Sequence, residues 1–155
     1  NLNSSVQTVV SGTAQALSEL EVKAKEAGAR RALKLAVAGP FHCPLMQEAA
    51  DNFKNAIADV TFNNPTEVLF SNVTGNRATD GEEIKKNAVL HLTNPVRWTD
   101  EEKVLADMIS ADKDNEWCLI EPGVGSVLAG LWAKTPYAEE RKCISVNSVE
   151  TLANL

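Results

Sequence analysis

The chain has 155 residues, 44% hydrophobic and 23% charged, with a formal net charge of −6 and an isoelectric point near 5.0. That composition is ordinary for one soluble globular domain, no apolar run approaches the roughly 20 residues of a membrane-spanning helix, and the acidic balance excludes a general role on nucleic acid, which needs clustered Lys and Arg. The three cysteines, Cys43, Cys118 and Cys143, are odd in number and lack C-x-x-C spacing, so they read as reduced thiols of a cytoplasmic protein, with neither a disulfide frame nor a metal site.

The first residues, "NLNSSVQTVV", have neither the basic start nor the apolar core of a secretory signal. They lack an initiating Met and run almost directly into a strand, as a piece of a longer polypeptide would. "QTVVSG" (7–12) is β-branched and ends on a turn signal, so it is expected to be a strand. "TAQALSELEVKAKEAG" (13–28) predicts a helix with Thr13 as N-cap and Gly28 as its stop; Ala16, Leu17, Leu20 and Ala24 would form its buried face. "RALKLAVAG" (31–39) alternates as a strand, with Leu33, Leu35 and Val37 on one side. Residues 7–39 therefore read as strand–helix–strand, either a βαβ unit or the second half of a split, ferredoxin-like one.

Helical spacing resumes at "PLMQEAADNFKNAIADV" (44–60), with Pro44 in the first turn and Leu45, Ala49, Phe53 and Ile57 as the core stripe. A strand is expected over 66–75 and a helix over 80–95. Another helix is expected over 99–110, with Thr99 and Glu102 as a capping box. Beyond it come a buried strand over 116–123, a helix over 125–135 and a last strand over 143–148. Strands alternating with helices imply an α/β fold.

Two stretches carry possible chemistry. In "AVAGPFHCPLM" (36–46), His42 sits at the end of an expected strand and before a helix, where open α/β sheets place their ligand crevice. It is either a packed turn residue or a base presented to a cleft. Cys43 is a rival nucleophile, but adjacent side chains on an extended segment diverge, so His42 is poorly placed to activate it. In "IEPGVGSVLAGL" (120–131), Gly123 and Gly125 mark a strand-to-helix turn, either simply a tight turn or a cradle for an anion. "HLTNPVRW" (91–98) breaks two helices at Pro95. No serine has glycine at both flanking positions, so the elbow of a serine acyl-enzyme is absent.

Taken together, "AVAGPFHCPLM", "NLNSSVQTVVSGT", "VLFSNVTGN", "LTNPVRWT" and "EPGVGSVLAGL" resemble, in order and spacing, segments of the malonyl-CoA:acyl-carrier-protein transacylases of fatty-acid synthesis. The resemblance spans essentially the whole chain and implies the C-terminal half of a protein about twice as long. It implies that residues 1–39 complete part of a ferredoxin-like small subdomain, and that residues 40–155 are the C-terminal part of a hydrolase-like α/β large subdomain.

By the same resemblance His42 is the histidine that activates a serine nucleophile, and the backbone carbonyl of His91, where the family usually has glutamine, orients it. Phe41 would limit room for branched acyl groups, and Asn3 and Asn72 would lie at the substrate cleft. Val124 replaces the proline of the family's Gly-Pro-Gly, and Ser5-Val6 stands where its Asn-x-Asn-Ser-Pro-x-Gln stretch carries the proline. The implied reaction is ping-pong transfer of malonyl from malonyl-CoA to acyl carrier protein through a serine in the missing N-terminal half, with no cofactor. This chain alone would then be inactive. Arg30, Arg31 and Lys34 form a candidate basic patch for the carrier protein. The alternative is a non-catalytic binding or scaffolding domain that keeps the transferase shape.

Overall fold

The computed structural model describes residues 1–153 as a mixed α/β chain. A short antiparallel hairpin opens it, β1 (Leu2–Ser4) and β2 (Gln7–Thr8). It is tied onward by Leu2 N–H donating to Val96 O at 2.8 Å. The strand expected over 7–12 is thus only Gln7–Thr8, with Val9 N–H adding one more bond across the hairpin to Asn1 O (3.0 Å).

Helix α1 (Ala14–Glu26) begins where Thr13 caps the Ala16 N–H, and Gly28 leaves it at φ 92°. That is the left-handed conformation glycine adopts without a Cβ clash. None of its residues is buried; Leu20 is 39% exposed. The apolar face exists, but no described element covers it.

The strand expected over 31–39 is absent. Its alternation is real, yet no described segment offers a ladder partner, and Val37 N–H closes locally on Leu35 O (3.1 Å). Unpaired backbone cannot hold a sheet conformation by propensity alone. Leu33, Leu35 and Val37 are consequently exposed, at 75%, 57% and 64%.

After His42 the chain makes a 3₁₀ turn (Pro44–Met46) and then α2 (Gln47–Ala56), shorter than the expected 44–60. Ala50 rather than the Leu45–Phe53 stripe is its buried residue, and α2 packs on α3. The single strand expected over 66–75 is a hairpin, β3 (Leu69–Ser71) and β4 (Asn76–Ala78), turned at Gly75 with φ 66°. Asp80 caps α3 (Gly81–Leu90) through the Glu83 N–H. Helix α4 (Trp98–Ala111) starts one residue before the expected capping box, with Arg97 as N-cap and Thr99 inside the first turn. Glu102 is therefore free of any capping role, and its carboxylate accepts from Trp98 Nε1 at 2.9 Å.

The last unit is β5 (Leu119–Pro122), α5 (Val127–Trp132) and β6 (Cys143–Val146), the two strands parallel with Leu119 opposite Cys143, followed by α6 (Val149–Ala153). Among the described residues the strands form three separate two-stranded ladders. The core is correspondingly small. Ala106 and Ile109 of α4 and Leu131 and Trp132 of α5 are buried, and the Trp132 indole N–H donates to Arg141 O at 2.7 Å.

Candidate active site

The loop from Gly39 to Cys43 delivers His42 against the C-terminal end of α3. His42 has φ 62°, a left-handed conformation in a residue with a Cβ. Such conformations persist where surrounding contacts hold them, and they gather at functional sites. Two hydrogen bonds hold it. His42 N–H donates to Leu92 O at 3.0 Å, and His42 Nδ1 lies 2.8 Å from His91 O. A carbonyl oxygen only accepts, so Nδ1 carries the proton and the neutral ring keeps its lone pair on Nε2. A half-buried imidazole with Nδ1 anchored and Nε2 basic is the geometry of a general base.

His91 is the residue that ends α3. Its carbonyl is one of the last in the helix, at the partly negative end of the helix dipole. Its ring also packs on His42, with centroids 4.7 Å apart and planes tilted by 41°. Burial, with the His42 charge adding, holds the His91 imidazole below the ordinary histidine range.

Of the other expected site residues, Phe41 adjoins His42 in the chain and Asn72 shares a cavity with His91. Asn72 follows β3; its Nδ2 donates to Glu101 at 2.8 Å, and its carbonyl accepts from Arg97 N–H at 2.9 Å. Asn72 and His91 line one cavity of about 170 Å³, together with Phe70, Ser71, Asn87 and Ile84. Phe41 is 45% exposed beside His42. Asn3 is half-buried on β1 and shares no hydrogen bond with the histidines. Cys43 faces elsewhere: its thiol donates to Pro40 O at 3.0 Å. The histidine and the cysteine are not paired as base and nucleophile.

The helix end beyond the glycine turn does hold a carboxylate, and it is the chain's own. Gly123 and Gly125 have φ 136° and 93°, and the first turn of α5 is satisfied by Glu121. Its carboxylate accepts from Leu128 N–H (2.9 Å) and Ala129 N–H (2.8 Å). Those bonds hold the Glu121 carboxyl below the usual range. The cradle is filled by the chain itself.

Glu101 has no place in the sequence expectations, and Glu102 is expected there only as part of a capping box. Both are buried on α4; burial pushes the Glu101 carboxyl up to about 7, against the opposing Asn72 bond and helped by the neighbouring Glu102 charge. A sequence signal existed. Residues 98, 101, 102, 105, 106 and 109 follow one helical stripe, and two glutamates on an apolar stripe mark a polar contact in the core. Among the described residues no cluster of His, Cys, Asp or Glu could hold a metal ion, and no helix is long and apolar enough to cross a membrane.

No protein-family model matches the chain. It is 38% identical over 149 residues to the malonyl CoA-acyl carrier protein transacylase of Haemophilus influenzae, covering 96% of this chain and 45% of that protein. In fold it is similar to the acyl carrier protein S-malonyltransferase of Vibrio cholerae, with a TM-score of 0.79, 36% identity, and 92% of this chain and 44% of that one covered. It is also similar to a malonyl-transacylase solved in complex with a holo acyl-carrier protein of a type II polyketide synthase, with a TM-score of 0.82, 31% identity and coverage of 92% and 44%. The chain spans about half the length of the curated relatives it matches. Nearly all of it is thus similar, in sequence and in fold, to a little under half of a malonyl CoA-acyl carrier protein transacylase.

Proposed function

We propose that this chain is the C-terminal part of an acyltransferase that moves malonyl from coenzyme A to the phosphopantetheine thiol of acyl carrier protein, and that the nucleophilic serine belongs to the N-terminal part. The observation that carries the reading is the anchored His42 ring, with Nδ1 bonded to the His91 carbonyl at 2.8 Å and Nε2 left as the base. In the first half-reaction His42 Nε2 takes the serine proton as Oγ attacks the malonyl thioester. The C–S bond then breaks, and His42 returns the proton to the departing coenzyme A thiolate. In the second half the carrier-protein thiol gives its proton to His42 and attacks the acyl ester, and the serine oxygen leaves reprotonated.

In this reading the His91 carbonyl orients His42, while Phe41, Asn3 and Asn72 border the acyl group. Residues 1–39 complete a ferredoxin-like small subdomain and residues 40–155 the large one; the uncovered face of α1 supports a partner for the first unit. Arg30, Arg31 and Lys34, all exposed, offer positive charge to an acidic carrier protein. In this reading the protein works in the cytoplasm.

The test is intact mass after incubation with malonyl-CoA. The 155-residue chain should gain no malonyl. The full-length protein should gain one, lose it to acyl carrier protein, and transfer roughly 10² to 10⁴-fold more slowly as His42→Ala. An adduct on the 155-residue chain would move the nucleophile to Cys43. A full-length protein that never acylates would support a binding domain in transferase shape.

A further inference from the structure

The end of α3 offers His42 more than a carbonyl. Any residue at position 91 would present that backbone oxygen, yet here the side chain is an imidazole packed on the His42 ring at 4.7 Å. Its Nε2 is buried without a hydrogen-bond partner, as is Nδ2 of Asn87 one helical turn earlier. Asn87 is only 8% exposed, and both residues line the same cavity of about 170 Å³. A buried, unpartnered polar ring is an expensive filler, so its place against His42 calls for a use.

The use follows from geometry. The His42 backbone is fixed by its bond to Leu92 O, and one ring atom is fixed by the His91 carbonyl. A single hydrogen bond at Nδ1 leaves the imidazole able to swing about that contact, and the swing moves Nε2, the atom that must meet the reacting hydroxyl. Rate in such a step depends on holding the base within a fraction of an ångström. The His91 ring, 4.7 Å away and tilted by 41°, stands beside the His42 ring and limits that swing. We propose that the His91 imidazole is a positioning residue for His42, acting through ring contact and separately from its carbonyl.

The ring suits that role in both states of the base. Burial disfavours the charged form of His91, and His42 is the only titratable group among the described residues whose charge acts on it. A neutral ring also sets no like charge beside the His42 imidazolium that forms when the proton moves.

The inference rests on the transacylase reading, so the experiment carries His42→Ala as a control. In the full-length protein, kcat and KM for malonyl-CoA would be measured for wild type and for His91→Ala, His91→Leu and His91→Phe, all of which keep the carbonyl. His91→Ala and His91→Leu should lower kcat by about 10 to 100-fold with KM changed less than about twofold. His91→Phe, a flat ring of similar size, should recover most of the loss. Full activity in His91→Ala would show that the carbonyl suffices and overturn the proposal. Recovery by His91→Leu equal to that by His91→Phe would overturn it too, since filling volume would then be enough. If His91→Ala fails to fold, the Leu and Phe pair decides alone. Equal rates in wild type and His42→Ala would sink the transacylase reading, and the inference with it.

Discussion

Glu101 is the residue whose chemistry departs furthest from its sequence. Its carboxyl titrates at about 7 against an ordinary 4.5 because burial disfavours the charge. A raised carboxyl binds its proton more tightly folded than unfolded. Its contribution to stability is therefore fully present below about pH 4.5 and is lost as pH rises through about 7. Glu101→Gln keeps an oxygen to accept from Asn72 and removes the charge. In urea titrations the variant should gain about 1–2 kcal/mol on the wild type between mildly acidic and mildly alkaline pH. A constant difference across that range would show that Glu101 is solvated after all. His91 bends the wild-type curve the other way, since its depressed imidazole costs stability as pH falls below about 6.5; comparing variant with wild type cancels that term. His42 makes a separate prediction. Its φ of 62° is tolerated by Asn and resisted by β-branched residues, so His42→Val should be less stable than His42→Asn by about 1–2 kcal/mol. Equal denaturation midpoints would mean the loop relaxes.

At the scale of elements, glycines separate positions that need the space from positions that do not. Gly81 begins α3 with its N–H bonded to Asn64 Oδ1 at 2.8 Å, and a Cβ there would fall on the Phe62 carbonyl. Gly81→Ala should cost about 2–4 kcal/mol, by displacing the 62–64 segment or the helix start. Gly130 sits inside α5 with nothing near its added Cβ, so Gly130→Ala should stabilise by about 0.5–1 kcal/mol, read as a rise in thermal midpoint. α5 has six residues and leans on the Glu121 carboxylate at Leu128 and Ala129. Glu121→Ala should speed amide exchange at those two positions before it changes any other element. Unchanged exchange there would remove Glu121 from the account of the turn.

For the molecule as a whole, the governing fact is uncovered apolar surface. α1 buries nothing, and Leu33, Leu35 and Val37 stand in a row on backbone that has no ladder. Such a segment is a ready template for pairing with another chain. The 155-residue chain should therefore self-associate with rising concentration in sedimentation velocity, and Leu33→Lys with Val37→Lys should reduce that association. A monomer at all concentrations would show that the chain covers the strip by itself.

Local determinants were legible wherever a short stretch decides its own conformation. Thr13 capping α1, Gly28 leaving it, the break at Pro95 and the His42 loop between apolar run and helix could all be read from neighbouring residues, because caps, φ limits and periodicity act within a few positions. The candidate base His42 was visible as a residue type in a motif, and the resemblance to transacylases rested on such motifs in order. What tertiary structure alone decided depends on partners distant in the chain. The alternation of 31–39 found no second strand, the Leu45–Phe53 stripe lay half uncovered, and the glycine cradle was filled by Glu121. Two glutamates on the stripe of α4 became buried because Asn72 and Trp98 supplied donors. The ring of His91 met the ring of His42 across 49 residues. A sequence states what each segment can do alone; burial, pairing and ring contact belong to two segments at once, and only the fold brings them together.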